Sequence, residues 1–198
     1  MIRHVRRAIA SWRQKAVALP ARLLHVAATP QAKRQGVSEA SIDPVQFRQV
    51  LGAYPTGVCA ITATGADSAP VGMVVGTFTS VSLDPPLVGF LPDKASATWP
   101  LIEASGHFCV NVLASDQMDI CRQISGRAAN KFDGIDLALS AHGHPVIANA
   151  LARIDCAIHD VVDAGDHWFV LGRVLSLAAT RDDNPMLFWR GRYGGFSG

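Results

Sequence analysis

The sequence predicts a mainly β domain, a closed antiparallel barrel carrying a few helices. Three observations carry that expectation. Short apolar, β-branched segments dominate from residue 57 onward. They follow one another instead of alternating with helices, which argues against a parallel βαβ sheet. The 198 residues are 49% hydrophobic, which suits one domain with a substantial core.

Each element has a local reason. Asp43-Pro44 opens a helix, because Asp caps and Pro suits the first turn. Phe47, Val50 and Leu51 follow at helical spacing, and Tyr54-Pro55 ends the run. Residues 57–64 (GVCAITAT) read as a strand, 65–70 as a turn and 71–75 as the return strand of a hairpin. Residues 87–91 (LVGFL) are apolar throughout, as in a strand buried on both faces. Residues 96–105 hold a short helix, with Thr98 or Ser96 as cap and Gly106 as terminator. Residues 107–113 (HFCVNVL) alternate like a strand, with Phe108, Val110 and Val112 on one face. A helix over about 115–124 places Gln117, Cys121 and Ile124 together and stops at Gly126. Strands are then expected over 150–162 and 168–178, with a short aromatic segment at 187–189.

Charge is unevenly placed. The net charge is only +2, so overall charge makes no case for nucleic acid. Residues 1–38 nevertheless contain Arg3, Arg6, Arg7, Arg13, Lys15, Arg22, Lys33 and Arg34 and no Asp or Glu. Such a segment reads either as an Arg-rich targeting or membrane-surface piece, or as an extra arm with no role in the domain. Charge runs are usually solvated, which favours the second reading. No apolar run reaches the roughly 18 residues of a membrane span. Cys59, Cys109, Cys121 and Cys156 form no C-x-x-C pair and sit among apolar residues. That pattern fits buried free thiols in a reducing, cytoplasmic compartment better than a metal or disulfide framework.

The familiar nucleotide-binding and nucleophile signatures are absent from the sequence. His142-Gly143-His144-Pro145 reads as a polar turn before it reads as a metal site, and no metal is expected. Several clusters remain. Tyr54-Pro55-Thr56-Gly57-Val58 sits at a helix-to-strand junction, where Gly57 lets a flat ligand approach the backbone or simply makes a turn. Residues 76–86 (GTFTSVSLDPP) bring Thr77, Thr79, Ser80 and Ser82 ahead of two locked φ angles. Lys94, Ser96 and Thr98 at a helix start offer a cation, hydroxyls and free amides, suited to phosphate; a capped helix with an exposed Lys is the ordinary alternative. Asn130-Lys131-Phe132 is basic and aromatic, or a solvated helix exit. His167 follows Gly165-Asp166 at a strand start, where a structural role is the better reading of that residue taken alone. Arg190, Arg192 and Tyr193 with their glycines suit an anionic or flat aromatic ligand, or form a frayed tail.

In this order the segments resemble the flavin reductase-like family of FMN-binding split barrels, from about residue 47 to 196. The resemblance rests on YPTGV (54–58), GMVVGTFTSVSLDPPLVGF (72–90), FCVNVL (108–113), NKFDGI (130–135), GDHWFVLGRV (165–174) and LFWRGRYGGF (187–196). It implies an antiparallel, Greek-key split β-barrel over residues 43–198, preceded by the basic arm of 1–42. It further implies an NAD(P)H:flavin oxidoreductase that takes hydride from NADH or NADPH to FMN or FAD. Such enzymes are homodimers with flavin near the subunit interface, and many supply reduced flavin to a separate monooxygenase.

By the family's pattern, Pro55, Thr56, Gly57 and Val58 with Gly76, Thr77, Phe78, Thr79, Ser80 and Ser82 border the isoalloxazine and ribityl chain. Ser96, Thr98 and Lys131 lie near the flavin phosphate, with Lys94 and Phe132 beside them. His167 faces the flavin–nicotinamide stack, positioning the nicotinamide or buffering nearby charge without serving as an obligatory acid. Arg190 and Tyr193 lie near the pocket. The chain departs from the pattern in two places. Gly76-Thr77 stands where the family often has Asn-Ser, which removes an amide contact. The Ser/Thr-rich phosphate segment is thinned to Ala95-Ser96-Ala97-Thr98. The resemblance leaves one rival, a flavin- or haem-binding split barrel without turnover.

Overall fold

A computed structural model describes residues 41–128 and 130–196. The basic arm expected over residues 1–42 lies, up to residue 40, outside the described residues. The elements are α1 (Pro44–Leu51), β1 (Thr56–Gly57), β2 (Cys59–Thr64), β3 (Pro70–Val75), β4 (Thr79–Leu83) and β5 (Pro86–Phe90). They continue with α2 (Trp99–Ser105), β6 (His107–Val112), α3 (Met118–Ser125), β7 (Leu137–Leu139) and β8 (Pro145–Ile147). The chain ends in β9 (Ala152–Ala164), β10 (His167–Ala179), β11 (Met186–Trp189) and β12 (Arg192–Gly195).

The main sheet has seven strands in the order β3-β2-β6-β9-β10-β5-β4, and every ladder in it is antiparallel. Its two edge strands, β3 and β4, are consecutive in the chain and joined only by Gly76-Thr77-Phe78. A flat sheet of this size would hold its edges about 29 Å apart at ordinary strand spacing. The connection from Val75 to Thr79 reaches at most about 14 Å. The sheet must therefore curl until β3 and β4 face each other. No ladder joins those strands among the described residues, so the curled sheet is a split barrel.

Alternation along the strands fills the barrel. Cys59, Ile61 and Ala63 of β2 meet Val88 and Phe90 of β5, Phe108 and Val110 of β6, and Val170 of β10. Helix α2 contributes Trp99 and Ile102 to the same core. Phe90 packs edge-on against Trp99 and Phe108, with centroids 5.9 and 5.2 Å apart. Gly172 of β10 lies under the Phe108 ring, where a Cβ would collide. Strand β6 is buried on both faces, because its other side meets the second layer. That layer joins Val58, Ala60, Leu113, Ile147 and Met186 to Cys121 and Ile124 of α3. Buried Asn111 ties the layers: its amide donates to Ala60 O (3.3 Å) and Thr62 Oγ1 (3.0 Å), and its Oδ1 accepts from Ile147 N (2.8 Å).

A small sheet, β1-β11-β12, sits beside the barrel. It is stitched on where Val58 N donates to Met186 O (3.1 Å), Leu113 N to Val58 O (3.1 Å) and Met186 N to Leu113 O (2.9 Å).

Several expectations need correction. Residues 79–83, for which the sequence suggested no strand, form strand β4 with a bulge between Ser80 and Ser82. Strands β7, β8 and β12 carry too few residues to show a period, and pairing alone defines them. Helix α3 begins at Met118, because Ala114 N donates to Gln117 Oε1 (3.0 Å) and holds residues 114–117 as a turn. Gly126 ends α3 in extended backbone, whereas Gly106 ends α2 at φ 70, as expected. Ser96, not Thr98, supplies the cap of α2, accepting from Thr98 N and Trp99 N at 3.2 Å each. All four cysteines are free and buried, and burial pushes the thiols of Cys59, Cys109 and Cys156 up to about 12. Among the described residues, no helix is long and apolar enough to cross a membrane.

Candidate functional site

The unpaired seam between β3 and β4 opens onto a cavity of about 510 Å³. Its walls are Leu51 and Tyr54 to Gly57 on one side and Gly76 to Thr79 on the other. That volume lies within the ordinary range for a small-molecule pocket. Seven residues nominated from the sequence meet here: Pro55, Thr56, Gly57, Gly76, Thr77, Phe78 and Thr79. Thr77 pins the seam to the end of β5, since its Oγ1 accepts from Leu91 N (2.9 Å) and lies 3.3 Å from Leu91 O. A Cβ on Gly57 would meet nothing within 4 Å, so the backbone there is bare to the cavity side. Gly76 is the reverse: its Cβ would lie 2.8 Å from Thr56 Oγ1. The volume an Asn side chain would need at position 76 is thus taken by the Thr56 hydroxyl. The Thr56 hydroxyl of β1 therefore stands where a side chain at position 76 would lie.

Beyond Leu91 the chain runs directly past the β9–β10 tip. Trp168 N donates to Pro92 O (3.0 Å), Lys94 N donates to Asp166 O (3.0 Å), and Asp93 pairs with His167. Residue-by-residue stitching therefore links the Thr77 seam to His167. The imidazole Nδ1 of His167 lies 2.7 Å from Asp166 Oδ1, and the ring is partly exposed. The His167 hydrogen bond holds the Asp166 carboxyl below the usual carboxylate range. With Nδ1 engaged, Nε2 is the nitrogen left for a ligand. Lys94 turns to the hairpin: its Nζ meets Asp163 Oδ2 at 2.5 Å and stands 4.4 Å from the Trp168 ring centroid.

At the start of α2, Lys131 Nζ donates to Thr98 Oγ1 at 3.3 Å, so a loop after α3 delivers a cation to the helix start. The Ser96 oxygen is occupied by helix amides. Phe132 is partly buried in the second apolar layer, beneath Gly72.

Residues 51–197 match the flavin reductase like domain. The chain belongs to that family. It is 50% identical to a flavin reductase of Pseudomonas putida over 161 residues, 81% of this chain and 95% of that one. It is 48% identical to the reductase subunit of a flavin-dependent monooxygenase from Rhodococcus jostii, over 80% of this chain and 81% of that one. The NADH:FAD oxidoreductase of Streptomyces globisporus, solved with NAD and FAD fragments, superposes with a TM-score of 0.74. That match has 37% identity and covers 79% of this chain and 96% of the other.

Other nominated residues of this flavin reductase like domain fall outside the seam cavity. Val58 is 2% exposed and faces the second layer, leaving only its backbone near the cavity. Ser80 and Ser82 lie on β4, Ser80 exposed and Ser82 half-buried. Tyr193 packs against Phe188 at 5.1 Å and lines a neighbouring cavity of about 260 Å³ that shares Pro55 with the first. Burial pushes its hydroxyl up to about 12. The tail at 192–195 is strand β12, paired with β11. Arg190 sits in the β11–β12 turn with its guanidinium carbon 4.6 Å from the Trp189 ring centroid.

Sequence reasoning missed three participants. Leu51 lines the cavity from the end of an amphipathic helix. Asp166 fixes the His167 ring, a role its adjacency in Gly165-Asp166-His167 signalled. Trp189 donates from Nε1 to Ala53 O (3.0 Å) and locks the small sheet to the 52–57 junction, which no local pattern indicates.

Proposed function

We propose that this protein is an NAD(P)H-dependent flavin reductase, with the flavin ring held in the seam cavity and the nicotinamide placed by His167. One observation carries the reading: a single run of chain, Leu91 to Lys94, connects the hydroxyl-lined seam to the Asp166–His167 tip. The relatives named above as flavin reductases and as an NADH:FAD oxidoreductase support it.

The residues present fit a flavin. The cavity combines bare backbone at Gly57, hydroxyls at Thr56, Thr77 and Thr79, and the Phe78 ring. Flavin, when bound, supplies a two-electron acceptor for hydride from reduced nicotinamide. The protein's share is placement, because hydride transfer needs near-attack geometry more than a strong acid or base. The Thr56 hydroxyl and the amides of 76–79 would line the ring edge and would stabilise charge arising there. Thr77, doubly tied to Leu91, keeps that wall fixed. Asp166 holds His167 in one tautomer with Nε2 outward. Ser96, Thr98 and Lys131 would hold the flavin phosphate, and Lys94 would act through its hold on Trp168 and Asp163.

The working unit is a homodimer in the cytoplasm that passes reduced flavin to a partner monooxygenase. The free buried thiols and the exposed apolar residues Phe47, Val50, Leu83 and Leu177 support that setting. The Rhodococcus relative, a monooxygenase reductase subunit, supports the partner class.

The test is purified protein mixed with FMN or FAD and NADH or NADPH, followed at the nicotinamide absorbance band. Rapid oxidation is expected; saturable flavin binding without oxidation would sink the reductase reading. His167→Ala is expected to raise KM for NAD(P)H about 10-fold, the size of one lost polar contact, while flavin affinity stays within about 2-fold. Equal losses in both would refute the assigned role.

A further inference from the structure

A second cavity, of about 540 Å³, opens where the β11–β12 turn meets the C-terminal half of α1. Arg48, Gln49, Gly52, Arg190 and Gly191 line it, and among the described residues no carboxylate does. Among the described residues, neither Arg48 nor Arg190 forms an ion pair. Two guanidinium groups facing one opening without a counter-charge repel each other, and an anion relieves that repulsion.

The turn is built to hold one of them still. Arg190 adopts φ 48, a left-handed conformation that costs a non-glycine residue about 1–2 kcal/mol. Its N–H donates to Gly52 O (3.2 Å) and its guanidinium rests on the Trp189 ring, so both ends of the residue are fixed. A side chain fixed before binding loses little entropy on binding. Arg48 approaches from the last turn of α1.

Position defines the ligand class. Leu51 lines the seam cavity and Gly52 lines the arginine cavity, so adjacent residues of one turn separate the two. A flavin mononucleotide has one phosphate, for which Ser96, Thr98 and Lys131 stand on other elements, at the start of α2 and after α3. An adenine dinucleotide carries further phosphoryl groups beyond its reactive ring.

We propose that Arg48 and Arg190 form a second phosphoryl subsite, which holds the adenosine-side phosphate of a dinucleotide whose ring occupies or faces the seam cavity. The proposal rests on the flavin reductase reading. Of the dinucleotides, NAD(P)H fits this placement, because in FAD the adenosine-side phosphate is bonded through one oxygen to the flavin phosphate, for which Ser96, Thr98 and Lys131 already stand elsewhere.

Wild type is compared with Arg48→Gln and the charge-retaining Arg48→Lys. Calorimetric titration with ADP needs no turnover. Arg48→Gln is expected to bind ADP roughly 10-fold or more weakly, the loss of one charged hydrogen bond, and Arg48→Lys to recover part of that affinity. No ADP binding by wild type, or equal affinity in Arg48→Gln, overturns the subsite. KM is then measured for FMN, FAD, NADH and NADPH. A rise for NADH or NADPH supports the subsite, and a rise for FAD alone overturns it. An equal rise for FMN and FAD, or no rise for any dinucleotide, overturns it. A wild type that oxidises no NAD(P)H refutes the reductase reading alone, and the ADP titration still decides the subsite.

Discussion

Helices α1 and α3 have the same length, eight residues, and both carry apolar positions at helical spacing, yet their fates differ. Helix α3 buries Cys121 and Ile124 completely against the outer face of the barrel. In α1, Val45, Phe47, Val50 and Leu51 remain 51–67% exposed. Each helix begins as local chemistry dictates: Asp43 accepts from Val45 N (3.1 Å) and Gln46 N (3.4 Å), and Gln117 braces the turn before α3. Periodicity thus reports which face of a helix is apolar. It does not report what covers that face, because the cover comes from chain distant in sequence or from a second molecule.

The contrast can be broken by substitution. Ile124→Ala should cost about 2–5 kcal/mol in denaturant unfolding, the range for an emptied core site. Gln117→Leu should cost about 1–3 kcal/mol by stranding Ala114 N and Ala148 O, which Gln117 now satisfies. Asp43→Ala should weaken α1 by about 1 kcal/mol, seen as faster amide exchange in residues 45–47 with little change in global unfolding. A denaturant midpoint that falls as far as for Ile124→Ala would show that α1 belongs to the cooperative core.

Titration offers another test of covered against open surface. His144 is 8% exposed, and burial lowers its pKa from the usual 6.5. The unfolded chain therefore takes up this proton before the native state does. Stability is full well above 6.5 and declines as pH falls through that value. His144→Asn should flatten this part of the stability–pH curve; an unchanged slope would assign it to other groups. The smallest expected effect is Val50→Ala, within about 0.5 kcal/mol for the isolated protomer. Sedimentation at low concentration sharpens that result: weaker self-association in Val50→Ala identifies a second copy as the cover of α1.

Much of the site was legible because its chemistry is local. Thr56, Gly57, Gly76, Thr77, Phe78 and Thr79 stand in two short segments, and both line the same cavity. Less legible was their mutual fit. The place of a side chain at position 76 is taken by Thr56, twenty positions earlier, and only strand closure brings the two to contact. Lys94 looked like a ligand cation and is instead held by Asp163 and Trp168, because the β9–β10 hairpin folds back onto residues 92–94.

The sequence by itself determined where strands alternate, which helices are capped, which thiols stay free and which segments carry hydroxyls and cations. Those properties depend on neighbours within a few residues. Tertiary structure decided that β3 and β4 are the two lips of one split barrel, that residues 91–94 join His167 to Thr77, and that Arg48 and Arg190 share an opening. Such facts arise from tertiary closure, which couples residues as far apart as Thr77 and His167 or Arg48 and Arg190, a relation no local pattern encodes.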